Sequence, residues 1–129
     1  MLTNQISPTP EQLAQLQTYP KNTPVTMLNI LKFKAKTETG ETGQEAYARY
    51  FKNARPFVAK SGAKLIWKGH VHTSLIGNLN KQPHLAFLVE YPSVDHFFAM
   101  VSNPDYQKIA TDRNLALEYG GLIACQTAQ

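Results

Sequence analysis

An arginine on the apolar side of a predicted helix is the residue that most strongly suggests chemistry in this sequence. It is Arg113, within the stretch YQKIATDRNLALEYGG at residues 106–121. The residues three and four positions away on either side are all apolar, so none offers a carboxylate for a local ion pair. Two interpretations stay open. Arg113 pairs with a buried acid, for which Glu90 is the candidate, or its planar guanidinium receives an anionic or carbonyl group of a ligand.

Further polar and aromatic side chains are candidates for contact with such a ligand. Tyr106 lies two helical turns before Arg113 on the same face, where it is either a core aromatic or a group that orients a ligand oxygen. Asn29 stands on a strand face that is otherwise apolar, and a buried amide needs a backbone or a ligand partner. Tyr47 and Trp67 complete the predicted ligand-binding set.

Two residues are candidates for proton transfer, His96 and Glu90. His96 falls in the first turn of a predicted short helix, where the positive end of the helix favours a neutral imidazole that can act as a base. Glu90 ends an otherwise apolar strand. We therefore predict that any catalysis uses one of these two side chains.

The sequence predicts neither a metal site nor a cofactor site. His70 and His72 form an H-x-H pair on a strand, but no acid or further histidine follows at the spacing that a metal site requires. No phosphate-binding, dinucleotide-binding or hydrolase motif occurs. The single cysteine, Cys125, excludes an intramolecular disulfide and fits a reducing compartment.

Composition excludes several classes of protein. The 129 residues carry a net charge of +4, but the basic residues are scattered rather than gathered in the stripe or motif that nucleic-acid binding requires. No apolar run reaches the roughly 18–20 residues of a membrane helix. No signal peptide is evident at the N-terminus. We therefore expect a cytoplasmic protein without a nucleic-acid or membrane partner.

The elements that must position these residues follow from local signals. Thr9 with Gln12, and Thr42 with Glu45, have the spacing of capping boxes and each predicts the start of a helix. Gly120 and the glycine after it predict the end of the arginine-bearing helix. The predicted helices occupy residues 10–18, 43–61, 94–102 and 104–119; the predicted strands occupy residues 24–34, 63–72, 84–92 and 122–128, with a turn at 78–83.

The order of these elements, βαββαβ after a helical lead-in at residues 1–23, is that of a ferredoxin-like α+β domain at residues 24–129. Such a domain has a four-stranded antiparallel sheet with helices on one face. Here both faces of the first and third strands are apolar, for example Leu31 on one side of the first strand and Ile30 on the other. Because no helix remains to cover the second face, we predict a homodimer formed sheet to sheet.

Three stretches give the chain a resemblance to a known family. They are MLNILKFK, YARYFKNARPFVAKSGAKLIWKG and LVEYPSVDHFFAMVSNPDYQKIATDR. With them the sequence resembles domain-of-unknown-function family 1330, within the dimeric α+β-barrel superfamily, over residues 24–124. The resemblance implies that Pro92, Ser93, Tyr106, Gln107 and Arg113 occupy family motif positions. It also implies a cavity between sheet and helices, while the N-terminal helix lies outside the typical domain.

The sequence therefore supports two hypotheses about function. The first is a small-molecule-binding protein, or a cofactor-independent enzyme, that acts on a small carbonyl or carboxylate compound in a pocket between sheet and helices. The alternative is a non-catalytic dimeric module in which Arg113 and Glu90 form a purely structural pair. A cavity beside Arg113 would favour the first hypothesis and a filled core the second.

Overall fold

The chain forms two layers, a sheet and the helices that cover one of its faces. The computed structural model describes residues 6–77 and 82–128, so the predicted turn at 78–83 lies largely outside the described residues. The helices are α1 (Pro10–Leu16), α2 (Gly43–Lys60), α3 (Val94–Val101) and α4 (Pro104–Ala116); the strands are β1 (Val25–Phe33), β2 (Lys64–His70), β3 (Leu85–Tyr91) and β4 (Leu117–Cys125).

The strands form one antiparallel sheet in the order β2-β3-β1-β4. In β1 and β3, alternate residues are buried, because successive side chains of a strand point to opposite faces. Met27, Leu31, Phe87 and Val89 point toward the helices and form the core with residues of α2 and α4. The predicted α+β fold with a four-stranded antiparallel sheet is confirmed.

Helix α2 supplies much of the helical side of the core. It begins with the predicted capping box, in which Glu45 N donates to Thr42 Oγ1 at 3.1 Å and Thr42 N donates to Glu45 Oε1 at 2.9 Å. Its buried face includes Tyr47, Tyr50 and Ala54, as the apolar spacing predicts. The same kind of box, at Thr9 and Gln12, begins α1.

Helix α2 is also tied to α4 and to the loop before it by an exposed charge cluster. Arg49 Nη2 lies 2.6 Å from Glu41 Oε1 and 3.0 Å from Asp112 Oδ1. The Arg49 guanidinium lowers the pKa of Glu41 mainly through this hydrogen bond. The cluster therefore fixes where the long loop after β1 meets the two core helices.

The predicted end of the arginine-bearing helix is wrong. Helix α4 ends at Ala116, and β4 begins immediately at Leu117, which pairs with Phe33 of β1. Gly120 lies within β4 opposite Leu31 and does not stop a helix. Pairing with β1 overrides the helix-stop signal of the glycines, because the backbone groups of this segment complete the edge of the sheet.

Strand β2 contains a bulge that changes which side of the sheet Trp67 faces. A strict alternation along β2 places Trp67 on the same side as Leu65, but the register of β2 against β3 shifts between these two residues. Leu65 pairs with Val89, whereas Trp67 pairs with Leu88 on the face away from the helices. A bulge of this kind adds a residue to one strand and reverses which side the following side chains face.

The face of the sheet away from the helices, here called the outer face, is largely apolar. Trp67 and Ile123 are 53% and 44% exposed, and Leu28, Ile30 and Leu88 are partly exposed. No described helix covers this face. Among the described helices, none is long and apolar enough to cross a membrane.

Candidate functional site

The guanidinium of Arg113 extends from the apolar face of α4 and donates a hydrogen bond to the first described residue of the chain, Ile6. Its Nη1 donates to the Ile6 carbonyl oxygen at 2.7 Å, across 107 positions of sequence. Its Nη2 lies above Gly120, where a β-carbon would come within 2.8 Å of that nitrogen. The missing side chain at Gly120 therefore makes room for the guanidinium against the sheet.

The pair between Arg113 and Glu90, one of the two interpretations left open by the sequence, does not form. Phe87, Val89 and Tyr91 of β3 point toward the helices, so Glu90, between the last two, points to the outer face. There it stands between Thr26 of β1 and Lys64 of β2. Arg113 and Glu90 thus lie on opposite sides of the sheet.

Two of the predicted ligand residues, Tyr47 and Tyr106, belong to a group of buried phenols next to Arg113. The hydroxyl oxygens of Tyr50 and Tyr106 lie 2.6 Å apart, and the rings of Tyr47 and Tyr50 have centroids 5.3 Å apart. Burial raises the pKa of both Tyr47 and Tyr50, and the charge of Arg113 offsets part of that rise. The structure therefore brings Arg113, Tyr47 and Tyr106 together, with Tyr50 as a member that the sequence did not single out.

Among the described residues, no hydrogen bond or ring contact joins Asn29, His96 or Trp67 to this group. Asn29 is buried on the helical side of β1, and its Nδ2 donates to the Met27 carbonyl oxygen at 3.3 Å, so a backbone group supplies its partner. His96 is exposed at the start of α3, with Nδ1 2.6 Å from Ser93 Oγ. Trp67 lies on the outer face.

A half-open groove of about 490 Å³ lies between α2 and the helical side of the sheet. Its apolar surface comes from Phe33, Tyr47, Phe51 and Leu85, with Ala48 beside them. Tyr47 is the only predicted ligand residue that lines it. Tyr47 also belongs to the group of buried phenols near Arg113, so it connects that group to the groove.

The polar surface of the groove is basic. Lys52, Arg55, Lys68 and His70 line it, and none of the described residues that line the groove is Asp or Glu. Lys68 Nζ lies 4.2 Å and Arg55 Cζ 5.8 Å from the centre of the Phe51 ring. Within the described residues, no carboxylate forms an ion pair with Lys52, Arg55 or Lys68. The groove therefore concentrates positive charge over an aromatic surface.

Sequence reasoning missed these cations, although a signal was present. Lys52 and Arg55 lie on the helix stripe that continues from Gln44 and Ala48, next to the aromatic stripe. On β2, Lys68 and His70 are two residues apart and thus share a face. Each cation alone resembles ordinary solvated charge, and only the packing of α2 on β2 brings them to one groove.

His70 and His72 are separated by the end of β2. His70 pairs with Leu85 and lines the groove, whereas His72 lies beyond the strand and is exposed. In residues 6–77 and 82–128, no three His, Cys, Asp or Glu side chains come together as metal ligands would. The prediction that this pair binds no metal stays a prediction.

The fold is that of the ferredoxin-like α+β-barrel proteins, by comparison with solved structures. A dimeric protein of unknown function from Bacteroides fragilis superimposes with a TM-score of 0.54 at 11% identity, covering 84% of this chain and 100% of that chain. SnoaB, a cofactor-independent oxygenase from Streptomyces nogalater, superimposes with a TM-score of 0.56 at 13% identity, covering 83% and 95%. At these identities the likeness shows the fold alone.

The family is shown by a more direct match. The model of the domain of unknown function DUF1330 matches residues 38–125, and the chain belongs to that family. A protein of unknown function from Rhodopseudomonas palustris is 32% identical, with a TM-score of 0.91 over 98% of this chain and 99% of that chain. No curated protein matches the chain.

Proposed function

We propose that this protein binds a small organic anion, a carboxylate or a carbonyl compound with an acidic group, in the groove between α2 and the sheet. The observation that carries the proposal is the presence of Lys52, Arg55 and Lys68 around one aromatic surface, with no acid among the lining residues that the structure describes. Like charges that share a site repel each other, and an anion removes that repulsion. The ligand thus supplies the countercharge that the groove lacks.

The size and surface of the groove support a ligand with an apolar body. A volume of about 490 Å³ falls within the range of roughly 300–1,000 Å³ that is usual for small-molecule sites. Phe33, Phe51 and Leu85 offer apolar contact, and the cations stand beside them. An aromatic or branched aliphatic acid matches both parts of this surface.

Titration with 2-naphthoate, monitored by the amide resonances of α2 and β2, tests the proposal. We expect saturable shifts, and an affinity that falls at least about tenfold in Lys68→Met, since a hydrogen bond to a charged group contributes about 1.5–3 kcal/mol. Lys60→Met is the control, because Lys60 lies on α2, the helix that borders the groove, and does not line the groove. Equal binding of 2-naphthol and 2-naphthoate, or equal affinity of the two variants, would overturn the proposal.

A cofactor-independent reaction in this groove would use His70 as its proton acceptor. His70 is the histidine among the described residues that line the groove, and an imidazole nitrogen can accept or donate a proton. His96 and Glu90, which the sequence suggested for this role, do not line the groove. The oxygenase SnoaB has a related fold and is described as cofactor-independent, which supports chemistry without a bound cofactor in this architecture.

We also propose that two copies of the chain associate through their outer faces. Trp67 and Ile123 are about half exposed there, and the related protein from Bacteroides fragilis is described as dimeric. The same observation favours a second candidate function, a non-catalytic dimeric module. In that case the groove would bind no anion, which the 2-naphthoate titration decides. A cytoplasmic location stays a prediction, which cell fractionation tests.

A further inference from the structure

We infer that Arg113 forms a second binding site, for a short branched aliphatic carboxylate, and that residues 6–9 of the chain occupy this site until such a ligand displaces them. These residues precede α1 and are here called the strap. This second site is distinct from the groove. Neither Arg113 nor the strap lines the groove, and only the neighbouring Tyr47 does.

Arg113 is a cation without a carboxylate partner among the described residues. Its guanidinium carries a full positive charge on the apolar face of α4, and within the described residues no carboxylate pairs with it. Its hydrogen bond goes to a neutral carbonyl, that of Ile6. A carboxylate would accept two parallel hydrogen bonds from the same planar fork and would add an opposite charge, which the Ile6 carbonyl does not carry.

At Ile6, the strap has the shape of a small branched carboxylic acid. Ile6 packs its side chain against the core cluster and turns its carbonyl oxygen to Arg113 Nη1 at 2.7 Å. A branched aliphatic chain next to an oxygen acceptor is also the outline of a branched short-chain carboxylic acid. Since the space taken by Ile6 accepts this shape, displacement of the strap would leave a site that accepts a ligand of the same shape.

Three described residues attach the strap and the region around α1 to the core. Residues 7–9 are exposed, and α1, which follows them, has no buried residue. The partly buried residues of this region that touch the core are Ile6, Leu16 and Tyr19. Among the described residues of the strap, Ile6 is thus the one that packs against the core, and displacement of the strap breaks this contact and the bond from Arg113.

The strap and a free ligand compete for the same site at Arg113, and the strap is covalently part of the chain. The measured affinity of the ligand is the intrinsic affinity reduced by the fraction of molecules in which the strap is displaced. Weakening the strap without touching Arg113 should therefore strengthen ligand binding. This inverse effect separates the inference from an ordinary structural role of Ile6, whose loss would not improve any binding.

The test uses 4-methylpentanoate on the full chain, with nuclear magnetic resonance of the Arg113 Nε–H group and the Ile6 methyl groups. We expect the acid to shift the Arg113 Nε resonance and to move the Ile6 methyl resonances to solvent-exposed positions. Ile6→Ser should bind the acid at least about fivefold more tightly than the wild type. The control Leu13→Ser, at an exposed position of α1, should leave the affinity unchanged.

Two further arms complete the experiment. The alcohol 4-methylpentan-1-ol has the same apolar body and no carboxylate, and it should leave Arg113 Nε unshifted. Arg113→Lys, which keeps the charge and loses the fork, should weaken binding in the Ile6→Ser background. An unshifted Arg113 Nε in both the wild type and Ile6→Ser, or a shift that leaves Ile6 in place, would overturn the inference. Shifts confined to the α2 and β2 resonances would contradict it as well, while still supporting the groove.

Discussion

The hydroxyl oxygens of Tyr50 and Tyr106 lie 2.6 Å apart inside the core and join α2 to α4. Both tyrosines are buried, at 9% and 8% exposure. The two rings meet edge to face, at 75° with centroids 6.3 Å apart. Each hydroxyl therefore supplies the hydrogen-bond partner that the other needs away from water.

Removing both hydroxyls should destabilise the protein by less than the sum of the two single losses. In Tyr106→Phe the Tyr50 hydroxyl stays buried without its partner, which costs about 1–3 kcal/mol of the free energy of unfolding. The double variant Tyr50→Phe/Tyr106→Phe removes both polar groups, so its loss should be smaller than the sum of the single losses. Urea unfolding of the four proteins measures this coupling, and strictly additive losses would mean that the two hydroxyls act independently.

Arg113→Met should cost little stability. The methionine keeps much of the packing of the arginine stem, and no buried carboxylate is left without a partner, because Glu90 lies across the sheet. We expect a loss of about 1 kcal/mol in urea unfolding, the size of one ordinary hydrogen bond. Glu90→Gln is the companion variant, and the two changes should be additive. A loss of about 3–5 kcal/mol that the double variant rescues would point instead to a buried ion pair.

A charge on the outer face should separate the proposed dimer. Leu88→Glu places a carboxylate between Leu28 and Trp67, its partners in β1 and β2, and burying that charge between two sheets is costly. Light scattering at low micromolar concentration should report about twice 14.4 kDa for the wild type and the monomer mass for the variant. Leu13→Glu, on the exposed side of α1, should remain dimeric. A monomeric wild type would disprove the sheet-to-sheet association.

Purified protein without a histidine tag should contain no stoichiometric metal. Within the described residues, no three His, Cys, Asp or Glu side chains come together as ligands, and a zinc site needs three or four protein ligands. Elemental analysis measures zinc, iron and copper directly. Stoichiometric metal that disappears in His72→Ala would show that His70 and His72 are part of a metal site after all.

The protein should lose stability as the pH falls below about 6.5 because of His84. Burial, and then the charge of Lys32, lower the pKa of His84 from its ordinary 6.5, while Glu118 partly opposes this. In addition, His84 Nδ1 accepts a hydrogen bond from Phe33 N–H at 3.1 Å, which protonation would break. Since the unfolded chain takes up the proton first, this contribution is complete above pH 6.5 and is lost as the pH falls toward the lowered pKa.

Urea unfolding of the wild type and His84→Asn between pH 8 and pH 5 measures this contribution. The variant should lose less stability across that interval than the wild type does. His72→Asn is the control, because His72 is exposed beyond the end of β2. The same pH dependence in the wild type and His84→Asn would assign the effect to other groups.

The parts of the fold that local chemistry determines were predictable from the sequence. The capping boxes at Thr9 and Thr42 begin helices where their spacing predicts, since each box satisfies backbone groups within four residues. The element order and the apolar outer face followed from alternation along β1 and β3. These signals act over short distances, and a single sequence contains them completely.

The parts that depend on tertiary packing were not predictable in the same way. The bulge that turns Trp67 outward arises from the register between β2 and β3, which alternation along one strand does not contain. The partner of Arg113 is a backbone carbonyl, and every residue has one, so no residue type marks Ile6. The groove cations come together only because α2 packs beside β2.

The close approach of Arg113 to Gly120 makes these two positions dependent on each other in evolution. Any side chain at position 120 would begin with a carbon atom 2.8 Å from Arg113 Nη2 and 2.9 Å from Leu117 Cδ1. A lineage that replaces the glycine must therefore shift the ends of the Arg113 and Leu117 side chains. Among homologous chains, arginine at position 113 should be inherited together with glycine seven residues later, and the pair can serve as a signature when new sequences are sorted.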